Sequence, residues 1–258
     1  MELLEARETR VGVLDKAMSI LSAYSRGDLA LSPLEIATRT GLPLPTVYRL
    51  AQALSEHGLL MKDGQRFRLG MTLLRMGMLV AEGIDVRRQA LQHLKWLNEE
   101  TEENAELHIR HESTRLVIEV VSSPHNLRPF ADLGAPLPLH RGAAGKVLLA
   151  WRPRVERENL VAASIALFDD NQSFDPHQLR SELEHIHAVG WAASNGERVS
   201  SVSALAAPVF DAAGRVAAAL TLVAPSARLS DEQRAHYIPL VCEAARRTSR
   251  DLGYVQRD

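Results

Sequence analysis

The sequence predicts a two-domain α+β protein, and three features of its 258 residues lead to that prediction. The first part of the chain carries helix-period apolar spacing with good capping residues, followed by a tight hairpin signal. A nearly uncharged apolar helix pattern comes next. Segments such as "ELHIRH" and "RLVIEVV" then alternate like strands between further helix patterns. We therefore predict a helical N-terminal domain over residues 1–70, a linker helix over 71–84 and an α/β domain over 85–258.

Composition and charge restrict the class of protein. Hydrophobic residues make up 46% and charged residues 24%, which is ordinary for a globular chain with sizeable cores. The net charge is −2, but residues 10–70 hold eight Lys or Arg against five Asp or Glu, a local excess of +3. This asymmetry indicates an anionic partner near the N-terminus.

Cysteine use and hydropathy suggest a location. The single cysteine, Cys242, cannot form a disulfide within the chain, which fits a reducing compartment. The first ten residues lack the apolar segment of a signal peptide, and no apolar run approaches the roughly 20 residues needed to span a bilayer. We expect a cytoplasmic protein with no membrane association.

Two short helices are predicted close together near the N-terminus. Ser32 is a good N-cap, with Pro33 at the first helical position and Glu35 completing a capping box, and Gly41 ends the helix. The next helix begins near Pro45 and is closed by Gly58. Its apolar stripe consists of Val47, Leu50, Ala51 and Leu54.

A basic hairpin follows these helices. Asp63-Gly64 is a strong signal for a two-residue loop, which would pair Lys62 with Gln65 and Leu60 with Phe67. Arg66 and Arg68 would then project from the face opposite Phe67. Three helices and a small hairpin in this order predict a winged helix-turn-helix.

The polar face of the third helix predicts contact with double-stranded DNA. Such helices enter the major groove with their N-terminal residues, where Arg can reach guanine and Gln can reach adenine. The alternative is a helical hairpin with a solvated outer face. The residues expected to contact DNA are Pro45, Thr46, Tyr48, Arg49 and Gln52, with Arg66 and Arg68 on phosphates or in the minor groove.

The segment "HRGAAGKV", residues 140–147, resembles a phosphate loop only superficially. His140 and Val147 stand where that motif requires Gly and Ser or Thr, so nucleotide hydrolysis is not predicted. The small residues from Gly142 to Gly145 have two interpretations. They allow a helix N-terminus to approach an anionic ligand, or they allow close packing against a strand.

Metal binding and catalysis find little support in the sequence. His108 and His111 would point to opposite faces of a strand, and His185 and His187 do not share a helix face. No nucleophile motif is present. We therefore predict no metal, no cofactor and no catalytic residues.

Three motifs together resemble one family. "TVYRLAQALSEHGLL" with "RFRLG", then "LPLHRGAAGKVLLAW", then "VSALAAPVFDAAGRVAAALTL" are similar to the IclR family of bacterial transcription regulators over nearly the full chain. The resemblance implies a GAF-like (profilin-like) α/β effector-binding domain after the linker helix. It also implies homodimers or tetramers built as pairs of dimers, partly palindromic promoter sites near catabolic operons, and control by a small metabolite.

The resemblance also implies where the effector binds. In members that bind small keto acids, backbone amides corresponding to Ala143 and Ala144 hold the carboxylate, and polar side chains on the last strands complete the pocket. Here those strand positions are Ala204, Thr221 and Val223, and Ser194 and Asn195 stand where some members have an acid. We therefore expect a rather apolar pocket for an organic acid, aromatic or branched. Its remaining lining would be Leu133, Leu137 and Val202, with Phe130 stacking, Arg128 or Arg198 assisting the carboxylate and His140 bonding a hydroxyl.

Two other functions remain open at this stage. One is an enzyme that processes a small acid and carries a vestigial helix-turn-helix, which requires a general base in the pocket. The other is a protein-interaction module that docks through the apolar 72–81 helix.

Overall fold

The computed structural model describes residues 12–25, 27–82, 85–129, 132–168 and 175–255, with the side chains of residues 80–82 excepted. The chain divides into two compact units, Met1–Gly83 and Ile84–Asp258. Within the described residues, no helix is long and apolar enough to cross a bilayer.

The first unit is a winged helix-turn-helix. Its elements are α1 (Gly12–Ser22), α2 (Pro33–Thr40), α3 (Leu44–Glu56), β1 (Leu60–Asp63), β2 (Arg66–Leu69) and α4 (Met71–Glu82). The three helices and the hairpin share one apolar core, whose buried members include Ile20, Ile36, Val47, Leu60 and Phe67. Burying each large aliphatic side chain contributes roughly 1.5–3 kcal/mol, so this small unit depends on all of them.

Capping defines the turn between α2 and α3. The Ser32 hydroxyl accepts from the Glu35 amide at 3.3 Å, and the Glu35 carboxylate accepts from the Ser32 amide at 2.6 Å, which completes the predicted capping box. Gly41 follows α2 in the left-handed region at φ 69°. The predicted stripe of Val47, Leu50, Ala51 and Leu54 is the buried face of α3.

The hairpin has a different register from the predicted one. Asp63 pairs with Arg66, Lys62 with Phe67 and Leu60 with Leu69, so the two loop residues are Gly64 and Gln65. With Gly64 first in the loop only glycine takes a positive φ, +59°, whereas a type I′ loop of Asp63 and Gly64 would also require a positive φ at Asp63. The predicted pairing of Lys62 with Gln65 is therefore wrong. The face assignment is unaffected, because Phe67 is buried while Arg66 and Arg68 are exposed.

The second unit is a three-layer sandwich around one antiparallel sheet. Its helices are α5 (Asp85–Thr101), α6 (Ala143–Ala150), α7 (Arg154–Phe168), α8 (Pro176–Val189) and α9 (Asp231–Asp251), with a 3₁₀ turn at Ser226–Arg228. Its strands are β3 (Asn104–His111), β4 (Thr114–Val121), β5 (Pro136–Pro138), β6 (Ala192–Asn195), β7 (Val202–Phe210) and β8 (Val216–Pro225), in the order β5-β4-β3-β8-β7-β6.

Both faces of the sheet are covered by helices. Leu107, Leu205, Leu220 and Leu222 pack with α5 and α9 in one core. On the other face Ala206 and Ala219 pack with α6 and α8 in a second core. Alternate strand residues thus reach two buried layers, and the layer on the α6 side contains the cavity described below.

Candidate functional site

The first candidate site is the outer face of α3. Tyr48, Arg49 and Gln52 are exposed, Tyr48 at 52%, while the opposite face of the helix is fixed by its buried stripe. Pro45 is also exposed and Thr46 is half-buried at the N-terminal end of the helix. Pro45, Tyr48, Arg49 and Gln52 therefore share one exposed face of α3 at three- and four-residue spacing, the geometry that insertion into a major groove requires.

The two wing arginines have different surroundings. The Arg66 guanidinium donates to both carboxylate oxygens of Glu35, at 2.6 and 2.8 Å, and to the Ala30 carbonyl at 3.2 Å. These bonds attach β2 to the start of α2. Arg68 approaches the Met61 sulfur at 3.0 Å and makes no ion pair within the described residues. Of the two wing arginines, Arg68 is therefore the one whose charge is uncompensated there.

The second candidate site is a cavity of about 120 Å³ in the second unit, between the sheet and the start of α6. Strand residues from β3 to β8 whose side chains face α6 form its floor, and the loop between β6 and β7 lies at its edge. The predicted residues that the structure brings together in its lining are Leu137, Ala143, Ala144, Ser194, Val202, Ala204, Thr221 and Val223.

Other predicted residues do not line this cavity. Arg128 donates to the His125 carbonyl, and Leu133 is 62% exposed beside β4. His140 is buried with its Nδ1 3.0 Å from the Ser164 hydroxyl, so it faces α7. Asn195 accepts from the Ser203 hydroxyl. Phe130 lies outside the described residues. The structure therefore does not bring Arg128, Leu133, His140 and Asn195 into the lining of this cavity.

The expected apolar character of the cavity is also wrong. Ionisable side chains from β3, β4 and two loops line it: Glu106, His108, Arg115, Asp132, Glu197 and Arg198. The alternation in "ELHIRH" contains the relevant signal. Leu107 faces the core on the α5 side, which sends Glu106 and His108 to the other face. A polar strand face usually meets water, but here α6 covers it.

Glu106, His108 and Arg115 form one buried chain of hydrogen bonds. An Arg guanidinium only donates, so Arg115 Nη1 donates to His108 Nδ1 at 2.8 Å. The other ring nitrogen, Nε2, must then carry the proton and donate to Glu106 at 3.0 Å. His108 is thus a neutral imidazole with both nitrogens occupied. Neither nitrogen is available as the general base that the enzyme alternative requires.

Burial changes the pKa of two of these three hydrogen-bonded side chains, His108 and Arg115. Desolvation lowers the pKa of His108, with the Arg115 charge acting in the same direction and the Glu106 hydrogen bond opposing it. Burial also lowers the pKa of Arg115 to about 10, assisted by the nearby positive charge of Arg198. Arg115 remains a cation at neutral pH.

The N-terminus of α6 is partly occupied by a side chain of the protein. The Glu197 carboxylate accepts from the Gly142 amide at 2.9 Å and from Lys146 Nζ at 2.6 Å. Gly142 has φ +79°, and a Cβ at Gly145 would overlap the Leu139 carbonyl. Close packing therefore explains Gly145. The amides of Ala143 and Ala144 border the cavity and donate no hydrogen bond among the described residues.

Thr221 has an unsatisfied hydroxyl in the cavity wall. The residue is 1% exposed, and its Oγ1 finds no hydrogen-bond partner in the described structure. A buried polar group left unpaired costs about 1–3 kcal/mol, so the position suggests a missing partner. In the described ranges, no group of three or more His, Cys, Asp or Glu side chains is arranged to hold a metal ion.

A winged helix-turn-helix in one unit and a small charged cavity in the other define the class of DNA-binding regulators that respond to a small molecule. Residues 13–64 match the IclR helix-turn-helix domain, and residues 78–250 match the bacterial transcriptional regulator IclR C-terminal domain. The chain belongs to the IclR family of transcriptional regulators.

Individual members of the family are similar to this chain over most of their length. The chain is 32% identical to the transcriptional regulator BhcR of Paracoccus denitrificans over 244 residues, covering 93% of this chain and 86% of BhcR. It is 30% identical to the glycerol operon regulatory protein of Streptomyces coelicolor over 244 residues, 93% of this chain and 96% of that protein. The Thermotoga maritima IclR structure superposes with a TM-score of 0.75 at 25% identity, covering 95% and 100% of the two chains.

Proposed function

We propose that this protein regulates a catabolic operon by binding a partly palindromic promoter site through α3 and the wing. The observation that supports this most directly is the exposed face of α3, whose polar side chains are aimed outward by the buried stripe behind them. Arg49 and Gln52 are suited to base edges. Arg68 is suited to phosphates, while Arg66 positions the wing through Glu35.

We further propose that a small organic acid in the second unit's cavity controls this binding. The free amides of Ala143 and Ala144 lie at the N-terminus of α6, where the helix dipole favours an anion. The name of the similar Streptomyces protein, a glycerol operon regulator, supports a catabolic role. A bacterial regulator that binds promoter DNA acts in the cytoplasm. An aromatic acid is one candidate effector, and no enzymatic step is part of this proposal.

Substitution of Arg49 tests the DNA interface. Binding sites are first selected from a randomised duplex pool, and affinity for the selected site is then measured by fluorescence anisotropy. We expect Arg49→Ala to weaken binding by about 1–3 kcal/mol and to relax the sequence preference, because a base contact is lost.

The matched control removes a charge elsewhere. Arg88 on α5 is 73% exposed and pairs only with Asp85, three residues away, among the described residues. Arg88→Ala should therefore bind the selected site like the wild type. Unchanged affinity and preference in Arg49→Ala would remove Arg49 from the interface, and failure to select any sequence would contradict the whole proposal.

A further inference from the structure

One arginine in the cavity is held in a fixed orientation by the protein itself. Arg115 is 5% exposed, and its Nε donates to the Pro138 carbonyl at 3.1 Å while Nη1 donates to His108. Glu106 in turn accepts from His108, which fixes the ring. Two of the three guanidinium nitrogens are therefore committed to the protein, and they determine where the third one points.

The third nitrogen of Arg115, Nη2, lies beside the start of α6. A Cβ placed on Gly142 would come within 3.3 Å of it, so Gly142 leaves room for this nitrogen at the cavity wall. Within the part of the chain that the structure describes, Nη2 donates no hydrogen bond. An anion at the N-terminus of α6 would thus meet a guanidinium N–H as well as backbone amides.

The Glu197 carboxylate already occupies part of the N-terminus of α6, where a bound anion would otherwise lie. Glu197 already accepts from the Gly142 amide and from Lys146, and so it offsets part of the positive potential at the helix end. The Arg198 side chain, also in the lining, adds a second cation near Arg115. Glu197 and Glu106 also act electrostatically on Arg115, so what Arg115 offers a ligand is the free hydrogen-bond donor Nη2 rather than an excess of positive charge.

A second polar position lies on the neighbouring strands. Thr221 on β8 is directly opposite Glu106 on β3, which places their Cβ atoms about 4.5–5.5 Å apart on the same sheet face. Thr221 Oγ1 is buried without a partner, and the Glu106 carboxylate can accept a further hydrogen bond beyond that from His108. A ligand hydroxyl between them could donate to Glu106 and accept from Thr221.

We propose that the cavity selects a hydroxycarboxylate, with its carboxylate on Arg115 and its hydroxyl between Glu106 and Thr221. This inference rests on the proposed function, because it specifies the acid that the same cavity binds. Arg115 is the residue that contacts the anion. His108 acts through Arg115 as a positioning residue, and Glu106 both fixes that ring and receives the hydroxyl.

The test compares acids that differ only in the hydroxyl. The full-length protein is screened by thermal shift against glycolate, lactate, mandelate and 4-hydroxybenzoate, each beside acetate, propionate, phenylacetate and benzoate and beside its own neutral amide. A ligand bound only by the folded state raises Tm. We expect at least one hydroxy acid to raise Tm by several degrees, its hydroxyl-free counterpart to raise it less, and its amide to have no effect.

Two variants then assign the groups, with Kd measured by titration calorimetry for the best acid. Arg115→Lys keeps the charge but loses the fixed donor geometry, and we expect at least tenfold weaker binding. Thr221→Val is isosteric and removes a hydroxyl that has no partner in the protein. It should fold normally and show a smaller preference for the hydroxy acid over the hydroxyl-free acid than the wild type, because only the bond to Glu106 remains.

The controls separate this inference from the proposed function. Arg110 on β3 lies opposite Arg115 in the β3–β4 register but does not line the cavity. The variant Arg110→Lys should therefore bind the acid like the wild type. Acid binding that is equal with and without the hydroxyl, or unaffected in Arg115→Lys, overturns the inference and leaves the proposed function intact. Absence of any shift with every acid overturns both the inference and the acid effector.

Discussion

At the scale of single residues, His108 shows how a buried network fixes a protonation state. Its Nδ1 accepts from Arg115, so adding a proton there would set an N–H against a guanidinium N–H. The groups that face it are Glu106, Arg115 and Arg198, and burial is the largest cause of its lowered pKa. The folded protein therefore resists protonation of this ring, whereas the unfolded chain does not.

This resistance predicts a loss of stability in mild acid. Below the ordinary pKa of 6.5 the unfolded state binds a proton at His108 that the folded state does not bind, so the free energy of unfolding falls as pH falls. For one such group the loss between pH 7 and 5.5 is on the order of 1 kcal/mol. The chain's three tryptophans, Trp96, Trp151 and Trp191, all lie in the second unit, so their fluorescence during urea unfolding reports it.

Replacing the ring tests its contribution. His108→Gln should be less stable than the wild type at pH 7 but should lose less stability on going to pH 5.5. His111→Gln, which changes an exposed ring on the same strand, should keep the wild-type pH dependence. An unchanged pH dependence in His108→Gln would show that His108 is not the group responsible.

The sequence predicted individual site residues unevenly, for a physical reason. Ala204, Thr221 and Val223 lie on two strands joined by a short turn, so the family motif that covers both strands was sufficient to identify them together. Arg115 and His108 became site residues only because β3 and β4 join the same sheet and α6 covers that face. Nothing local distinguishes them from the polar side of a solvated hairpin.

At the scale of elements, local signals were sufficient where one residue decides a conformation. Ser32 and Glu35 determine where α2 begins, and Gly41 determines where it ends, so both boundaries could be predicted. The hairpin was harder, because Asp-Gly can occupy two positions relative to a two-residue loop. Gly64 can take a positive φ in either position, and the strands as a whole select the register in which neither Asp63 nor Gln65 needs one.

Helix α4 buries none of its described side chains within the first unit. Met71, Leu74, Met78 and Leu79 are each more than half exposed, and Met76 is nearly so. Water contact over several large apolar side chains on one helix is unfavourable, which indicates that another surface covers them. Since the resemblance to the family implies dimers, we propose that a second copy of the chain provides this surface.

Charges on α4 should therefore separate the copies. We expect the wild type to have a mass that is a multiple of 28.5 kDa by light scattering, and Leu74→Glu with Met78→Glu to shift it toward 28.5 kDa. Arg75→Glu introduces the same charge at an exposed neighbour outside the apolar set and should preserve the assembly. A wild type that is monomeric at micromolar concentration would refute this role for α4.

At the scale of the whole molecule, the two units carry two separate sites, and regulation requires a coupling free energy between them. An effector that contacts only the second unit can change DNA affinity only if it binds the DNA-bound and DNA-free proteins with different affinity. The thermodynamic cycle closes, so the factor by which the effector changes the Kd for DNA must equal the factor by which DNA changes the Kd for the effector. Couplings of this kind are typically about 5–150-fold.

Both factors can be measured with the best acid from the thermal-shift screen and the selected DNA site. Anisotropy gives the Kd for DNA with and without saturating acid, and calorimetry gives the Kd for the acid with and without saturating DNA. The two measurements must share one salt concentration, because phosphate contacts make DNA affinity fall steeply with salt. We expect the two factors to agree and to differ from one.

A variant with a filled cavity shows which site causes the coupling. Ala204 lines the cavity from β7, opposite Val223 on β8, so Ala204→Trp should occupy the ligand volume while every residue of the first unit is unchanged. Its DNA affinity should equal that of the effector-free wild type and should not respond to the acid. A full response in Ala204→Trp would place the effector at another site. Equal DNA affinity with and without acid in the wild type would mean that binding in the cavity has no influence on DNA, because a ligand with the same affinity for both states shifts no equilibrium.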